Sequence, residues 1–547
     1  MFTAPRIVLC ACTLLLTAYS ANTQPQDALP RTAAEKADWA RTSTHAEVRA
    51  FIDRLGSLSD SPRLAMDVVG ASHEGRDLLL VRVGSPLPER ALAAACGDRL
   101  RVLITGNIHG GEVEGKEALQ QILRELVSGQ HAPLLEKLAL FVVPVYNADG
   151  NDAIARTNRV SQNGPDEGVG ERANGQGLDL NRDFIKAESP EAQALLSLMN
   201  SIDPHLYVDL HTTNGSDHGY HLTYAPSLST NVDPDLNRMA REQFLPSVRE
   251  AMDRRAGWRI FDYGNFSGRE QVQWTTYDHR PRFGTNYVGL RNRFSILSEA
   301  FSYLPLVERV DVTHDFVLEI LAYAAGHAEG LRAACQAADE RALSGALTLG
   351  VETSLAAGQP LEILRGSLTA VELPELGTRR VAGSEWSTET MQVRVAFESK
   401  RQVALPDAWA LPNPTPEVLA RLAWHGLRTV TLEQSQTQTV EAFQVEEIRR
   451  ARRLFQGHHE TSLSGNWQAR EQDLPAGTVL VSARQRLVRV AAQLLEPETE
   501  DGLVTWNLLD DALGETEGAE HPFYPVLRLP SVPETDPLFA LLNPEQH

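Results

Sequence analysis

A histidine and a glutamate three residues apart, His109 and Glu112, stand in the glycine-rich stretch GNIHGGEVEG at residues 106–115. Imidazole nitrogen and carboxylate oxygen both ligate zinc, and a zinc ion that catalyses takes three protein ligands and keeps one position open. A third residue of suitable type, His211, closes the run HLYVDLH, residues 205–211. Farther on, Glu299 sits near the end of the apolar run FSILSEA, and Arg172, Asn181 and Arg182 lie in GERANGQGLDLNRDF. A carboxylate among apolar residues costs free energy unless it has a partner or a task. A guanidinium offers a carboxylate two parallel donors. Such a set would suit activating water, moving a proton and holding an anionic group. Each member also has an ordinary reading. A His-x-x-Glu pair is common on surfaces, Asn181-Arg182 describes a turn with a salt bridge, and Glu299 suits pairing with an arginine in the core.

These residues fall where positioning elements are expected. RVLI at 101–104 reads as a strand ending just before His109, and KEALQQILRELVS at 116–128 carries a helical apolar stripe just after Glu112. The glycines between them permit a tight turn. A carboxylate at a helix N-terminus is favoured by the helix dipole. LALFVVPV at 138–145 reads as a buried strand, and 205–211 and 294–300 as further strands. Ser189 and Pro190 read as the cap and first residue of a helix, and 315–325 as another. Strands alternating with helices predict an α/β fold with a largely parallel or mixed sheet, in which sites form at the carboxyl ends of strands. Beyond about residue 340 shorter β-like runs dominate, among them MQVRVAF at 391–397 and GTVLVSA at 477–483. Thr415 and Pro416 start a helix ending at Gly426, followed by the strand LRTVTL. This texture predicts a separate, smaller mixed α/β domain over 340–547. His218 and His221, in TTNGSDHGYH, read as part of a solvated loop, and GHHET at 457–461 as surface polarity.

The chain has 547 residues, a formal net charge of −21, 42% hydrophobic and 22% charged residues. It is long enough for more than one sizeable core. So acidic a protein is a poor partner for nucleic acid, which needs a basic surface to displace counterions. Residues 1–20 combine one arginine, the apolar run Ile7 to Leu16 and then small residues. That is a signal-peptide pattern, too short to span a bilayer. It predicts cleavage after Ser20 and a secreted or periplasmic protein with no membrane span in the mature chain. Cys96 and Cys335 would then be the only cysteines left, and an oxidising compartment suits a disulfide between them. Two cysteines cannot build a thiolate zinc cluster, so a metal must rely on histidine and carboxylate.

Taken in order, HGGE, NADG (147–150), LDLNRDF, VDLH and LSEA resemble the zinc metallocarboxypeptidases of the carboxypeptidase A-like (funnelin) family, as a secreted bacterial member, over about residues 100–300. The resemblance implies a mixed eight-stranded sheet flanked by helices, a catalytic domain over 35–335, and hydrolysis of the C-terminal bond of peptides bearing a free carboxylate. It implies zinc held by His109, Glu112 and His211, and Glu299 as general acid and base. It implies Arg172 facing the oxyanion, and Asn181 and Arg182 on the substrate carboxylate. Asp179 matches an acceptor behind a ligating histidine, and Tyr287 the tyrosine that folds over substrate. Gly111 departs from the pattern, because pancreatic-type members carry arginine there. Two other readings share these residues. One is a zinc amidohydrolase, deacylase or cell-wall peptide hydrolase on the same fold. The other is a non-catalytic protein that binds peptides or glycans.

Overall fold

The computed structural model describes residues 29–58, 63–213, 215–269, 271–514 and 522–542. The expected signal segment, residues 1–20, lies outside them. The first half is built on β1 (Leu64–Ala71), β2 (Asp77–Val83), β3 (Leu100–Gly106), β4 (Leu138–Val143), β5 (Leu206–Thr213), β6 (Leu222–Pro226) and β7 (Ile260–Asp262). The short strands β8 (Asn265–Ser267) and β9 (Gln273–Thr275) follow, then β10 (Phe294–Phe301). Eight of these form one mixed sheet in the order β1-β2-β4-β3-β5-β10-β6-β7. Its centre is parallel: β4, β3, β5 and β10 run alongside one another in one direction.

Alternation along the central strands sorts side chains onto two faces. Val102, Ile104 and Val208 enter one core, and Leu103 and Tyr207 the other. The helices Glu114–Ser128 and Leu306–Gly326 cover the first face, contributing Leu119, Ile122, Phe316 and Ile320. Helix Pro190–Ile202 covers the second, its Ser189 cap accepting from the Ala192 amide. Among the described residues, no helix is long and apolar enough to cross a membrane.

The region beyond 340 is not the detached unit its texture suggested. Helix Ala328–Leu343 runs through the expected boundary. Trp409, Val418, Val490 and Leu494 join Leu103, Leu195 and Tyr207 in one continuous core. After β11 (Thr348–Leu355) come β12 (Gln359–Leu373) and β13 (Gly377–Arg394), a long hairpin. β13 pairs with β9 of the first half in a shared four-stranded sheet. The run 391–397 is therefore split between the end of β13 and the start of β14 (Phe397–Ala404), which returns to β11. Then β15 (Ala408–Leu411), β16 (Thr429–Thr431), β17 (Gln436–Arg450), β18 (Thr461–Leu474), β19 (Val479–Ser482) and β20 (Leu527–Leu529) form a six-stranded sheet.

Cys96 and Cys335 are separate buried thiols rather than a disulfide. Each thiol points at a nearby carbonyl, Leu92 O and His205 O respectively.

Candidate metal centre and active site

The glycines of HGGE are needed for close approach. Beyond β3, Asn107 takes φ +61°, and its amide donates to the carbonyls of His109 and Gly110, both at 3.2 Å, and of Glu112 at 3.1 Å. A β-carbon on Gly110 would lie 2.2 Å from the Gly150 carbonyl carbon, and one on Gly111 2.5 Å from Arg159 Cδ. The absence of an arginine at position 111 thus has a local cause: Arg159 already fills that space. The helix that begins at Glu114 locks the loop from behind with buried, partnered charges. Glu114 meets Arg309 at 3.2 Å, Lys116 donates to Ser43 O at 2.6 Å, and Glu117 accepts from Thr42 and Ser43.

β5 delivers His211 to the same place. The ligand atoms of His109, Glu112 and His211 lie within 4.8 Å of one another, and all three residues are buried. Nδ1 of His109 is 3.0 Å from Glu112 Oε1, and Nδ1 of His211 is 3.0 Å from Glu112 Oε2. The opposite ring nitrogens face carboxylates: His109 Nε2 lies 3.0 Å from Asp179 Oδ1, and His211 Nε2 3.0 Å from Asp209 Oδ2. A carboxylate behind each imidazole fixes the tautomer and turns the other nitrogen toward the ion. Two such nitrogens and one carboxylate fit zinc, and the set is too small and too rich in nitrogen for calcium or magnesium. Burial opposes ionisation of Glu112, yet His109 and Arg159 hold its carboxyl well below the usual range.

The parallel register of β5 and β10 sets Glu299 directly beside His211. Burial pushes the Glu299 carboxyl up to about 8, against the pull of His211, with Glu112 adding repulsion. A carboxylate so perturbed next to a metal-ligand cluster is what proton transfer near neutral pH requires. Asp179 links the two sides of the site. Its Oδ1 meets His109 and accepts from the Asn181 amide at 2.9 Å, while its Oδ2 accepts from Arg172 Nε at 3.0 Å. Burial works against the Asp179 charge, but His109 and Arg172 keep it ionised well below its usual range. Arg172 also approaches His109 Nδ1 at 3.3 Å and leaves 47% of its side chain exposed to the cleft. NADG supports this arginine from below: Asn147 Nδ2 donates to the Arg172 carbonyl at 3.1 Å. Asn181 Oδ1 accepts the main-chain N–H of Gly284 at 2.9 Å, and its Nδ2 lies 3.4 Å from His211 Nε2. Arg182 lies 4.0 Å over the Phe283 ring.

Tyr287 is a misassignment. GTNYVGL forms a helix buried on every side, and the tyrosine is fully enclosed, its hydroxyl 2.9 Å from His425 Nδ1. It packs against Phe184 inside the core and has no open face toward the ligands. Tyr263 and Tyr277 stand nearer the chemistry. Both are half-buried, pack edge to face at 5.3 Å, and have hydroxyl pKa values raised by burial and by the Glu299 charge. His218 is likewise buried rather than solvated, packed 4.1 Å from the Phe301 ring. Burial lowers its pKa to about 3. Arg159, which donates to Glu112 Oε1 at 3.0 Å, was not singled out from the sequence. Its nearest sequence signal is the Asn158-Arg159 dipeptide in an otherwise unpatterned loop.

Residues 48–281 match the family model described as zinc carboxypeptidase. That span holds both histidines and Glu112, while Glu299 lies beyond its end. Over 464 residues the chain is 21% identical to carboxypeptidase 2 of Trichophyton equinum, covering 79% of this chain and 77% of that one. It is 34% identical over 122 residues to carboxypeptidase Z of Mus musculus, covering 21% and 17% of the two chains. Among solved structures, carboxypeptidase A of Helicoverpa armigera aligns at a TM-score of 0.40 and 16% identity, over 56% of this chain and 80% of that one. A zinc carboxypeptidase domain therefore occupies residues 48–281 of the chain. It is a zinc-dependent metallocarboxypeptidase, a hydrolase of peptide bonds.

Proposed function

We propose that the protein removes the C-terminal residue of peptides that carry a free carboxylate, with Glu299 as its general base and acid. The observation that carries this reading is the register of β5 and β10, which puts a half-buried carboxylate beside a metal-ligand histidine. His109, Glu112 and His211 would hold the ion. Zinc, when bound, supplies a Lewis acid that polarises a carbonyl and acidifies water. Glu299 takes the proton of the attacking water and returns it to the leaving amine. Arg172, half-exposed and anchored on Asp179, meets the negative charge that develops on the former carbonyl oxygen. Arg182 and Asn181 receive the terminal carboxylate, and Tyr277 takes the place beside the substrate that Tyr287 cannot. Residues 1–20 route the chain out of the cytoplasm, to the periplasm or the medium, where peptides rather than nucleic acids are its partners.

Arg182→Ala tests the exopeptidase reading. Loss of a hydrogen bond to a charged group costs about 1.5–3 kcal/mol. KM for free peptides should therefore rise about ten- to a hundred-fold. C-terminally amidated peptides should be cleaved poorly by the parent and lose little more in the variant. Equal cleavage of free and amidated peptides by the parent would favour an endopeptidase or a deacylase instead.

A further inference from the structure

The loop joining β17 to β18, residues 451–460, contains the GHHET histidines and reaches the catalytic half. At its tip Phe455 and His458 pair through both main-chain hydrogen bonds, Phe455 N to His458 O at 2.8 Å and His458 N to Phe455 O at 3.0 Å. The two residues between them, Gln456 and Gly457, have φ of +51° and +84°. Positive φ at both central positions defines a type I′ turn, whose first position favours asparagine, aspartate or glycine. Glutamine there is strained, and nothing in the turn itself repays the strain. Its side chain does something asparagine is too short to do. Gln456 Oε1 accepts the main-chain N–H of Asp179 at 2.9 Å, across 277 residues of sequence.

The turn is held on its target by independent contacts. His458 Nε2 meets Glu188 at 2.8 Å, and its Nδ1 meets Asn507 at 3.1 Å. The Arg282 guanidinium lies 4.9 Å over the Phe455 ring and 4.8 Å over Trp506, and also pairs with Glu460 and Asp501. His458 and Glu460 are thus docking groups and not general surface polarity.

We propose that Gln456 is a positioning residue of the active site. Through the Asp179 main chain it fixes the short turn that orients His109 and carries Asn181 and Arg182. The role rests on the proposed use of Asp179 behind a zinc ligand. It makes the region beyond 340 part of the catalytic apparatus. Outer partners of metal ligands typically change affinity or activity about ten- to a hundred-fold when removed. Gln456 acts one bond farther out, so the lower end applies.

Three variants of the full chain test this: Gln456→Ala, Gln456→Asn and Gln456→Glu. Each is followed by kcat/KM, by the rate of zinc release to a chelator, and by melting temperature. Alanine and asparagine should lower kcat/KM about tenfold and speed zinc release by a similar factor, while the melting temperature changes little. Asparagine is informative because it suits the turn better yet cannot reach Asp179. Glutamate keeps the acceptor and should restore both readouts. Zinc release needs no substrate, so it reads Gln456 even if the proposed peptide specificity is wrong. The proposal is overturned if alanine and asparagine leave zinc release and kcat/KM at parent values. It is equally overturned if glutamate is as impaired as alanine, or if the melting temperature falls while activity per folded molecule is retained.

Discussion

Glu299→Gln should leave a folded, zinc-loaded protein with kcat/KM reduced about a hundred- to ten-thousand-fold, the usual weight of general acid–base catalysis. The amide preserves side-chain shape at a half-buried strand position, so β10 keeps its packing. It has no basic oxygen able to take a proton from water or hand one back. Glu299 lies beside the three-ligand cluster without being one of its members, so zinc content should match the parent. The pH profile of the parent belongs to the same test. A general base works deprotonated, so activity rises with pH through its pKa. Burial raises that pKa from 4.5 toward 8, and a bound cation pulls it back down. The acid limb should therefore fall between those limits. If Glu299 is instead a structural partner, the glutamine variant will melt at a lower temperature while keeping near-parent turnover, and the assignment as base is lost.

The second large effect concerns the ion. The parent should carry about one zinc per chain, and His109→Ala or His211→Ala should remove it together with activity, since each deletes one of three protein ligands. The loss should also unsettle charge nearby. Glu112 and Asp179 are buried carboxylates that pair with these imidazoles, and removing one partner of a buried pair costs about 3–5 kcal/mol. Metal analysis and melting curves on the same samples check both parts. Full zinc retention in both variants would displace the ligand set.

What the sequence made legible shares one property: each residue's chemistry is odd for its local setting. His109 and His211 stand at strand ends and Glu299 near the end of an apolar run, and it is the order of HGGE, VDLH and LSEA along the chain, through the family resemblance, that groups them. Ser189, Pro190 and the stripe from Ala118 to Val127 were read from helix rules that act within a few residues. The failures depended on distant contacts. Tyr287 carries no local sign of enclosure, and only the helix Gly284–Leu290, buried on all sides, shuts it inside the core. His218 looked solvated because its neighbours are polar, yet Phe301 and Trp274 cover it from elsewhere in the chain. Arg159 meets Glu112 across 47 residues, and Gln456 meets Asp179 across 277. No local pattern encodes such pairings.

The core and sheet shared across residue 340 have a consequence for how this protein can be cut and recombined. The region that matches the family model is fused to its neighbour through apolar surface: Trp409 and Val490 fill the same interior as Tyr207, and β13 completes a ladder that β9 begins. Severing the chain there would open a hydrophobic wound on both fragments and strand the edge of β9, an invitation to aggregation. Function and foldability are therefore inherited together. Mutations in the last two hundred residues reach the catalytic half through that shared interior, and a transplant of the enzyme must carry both.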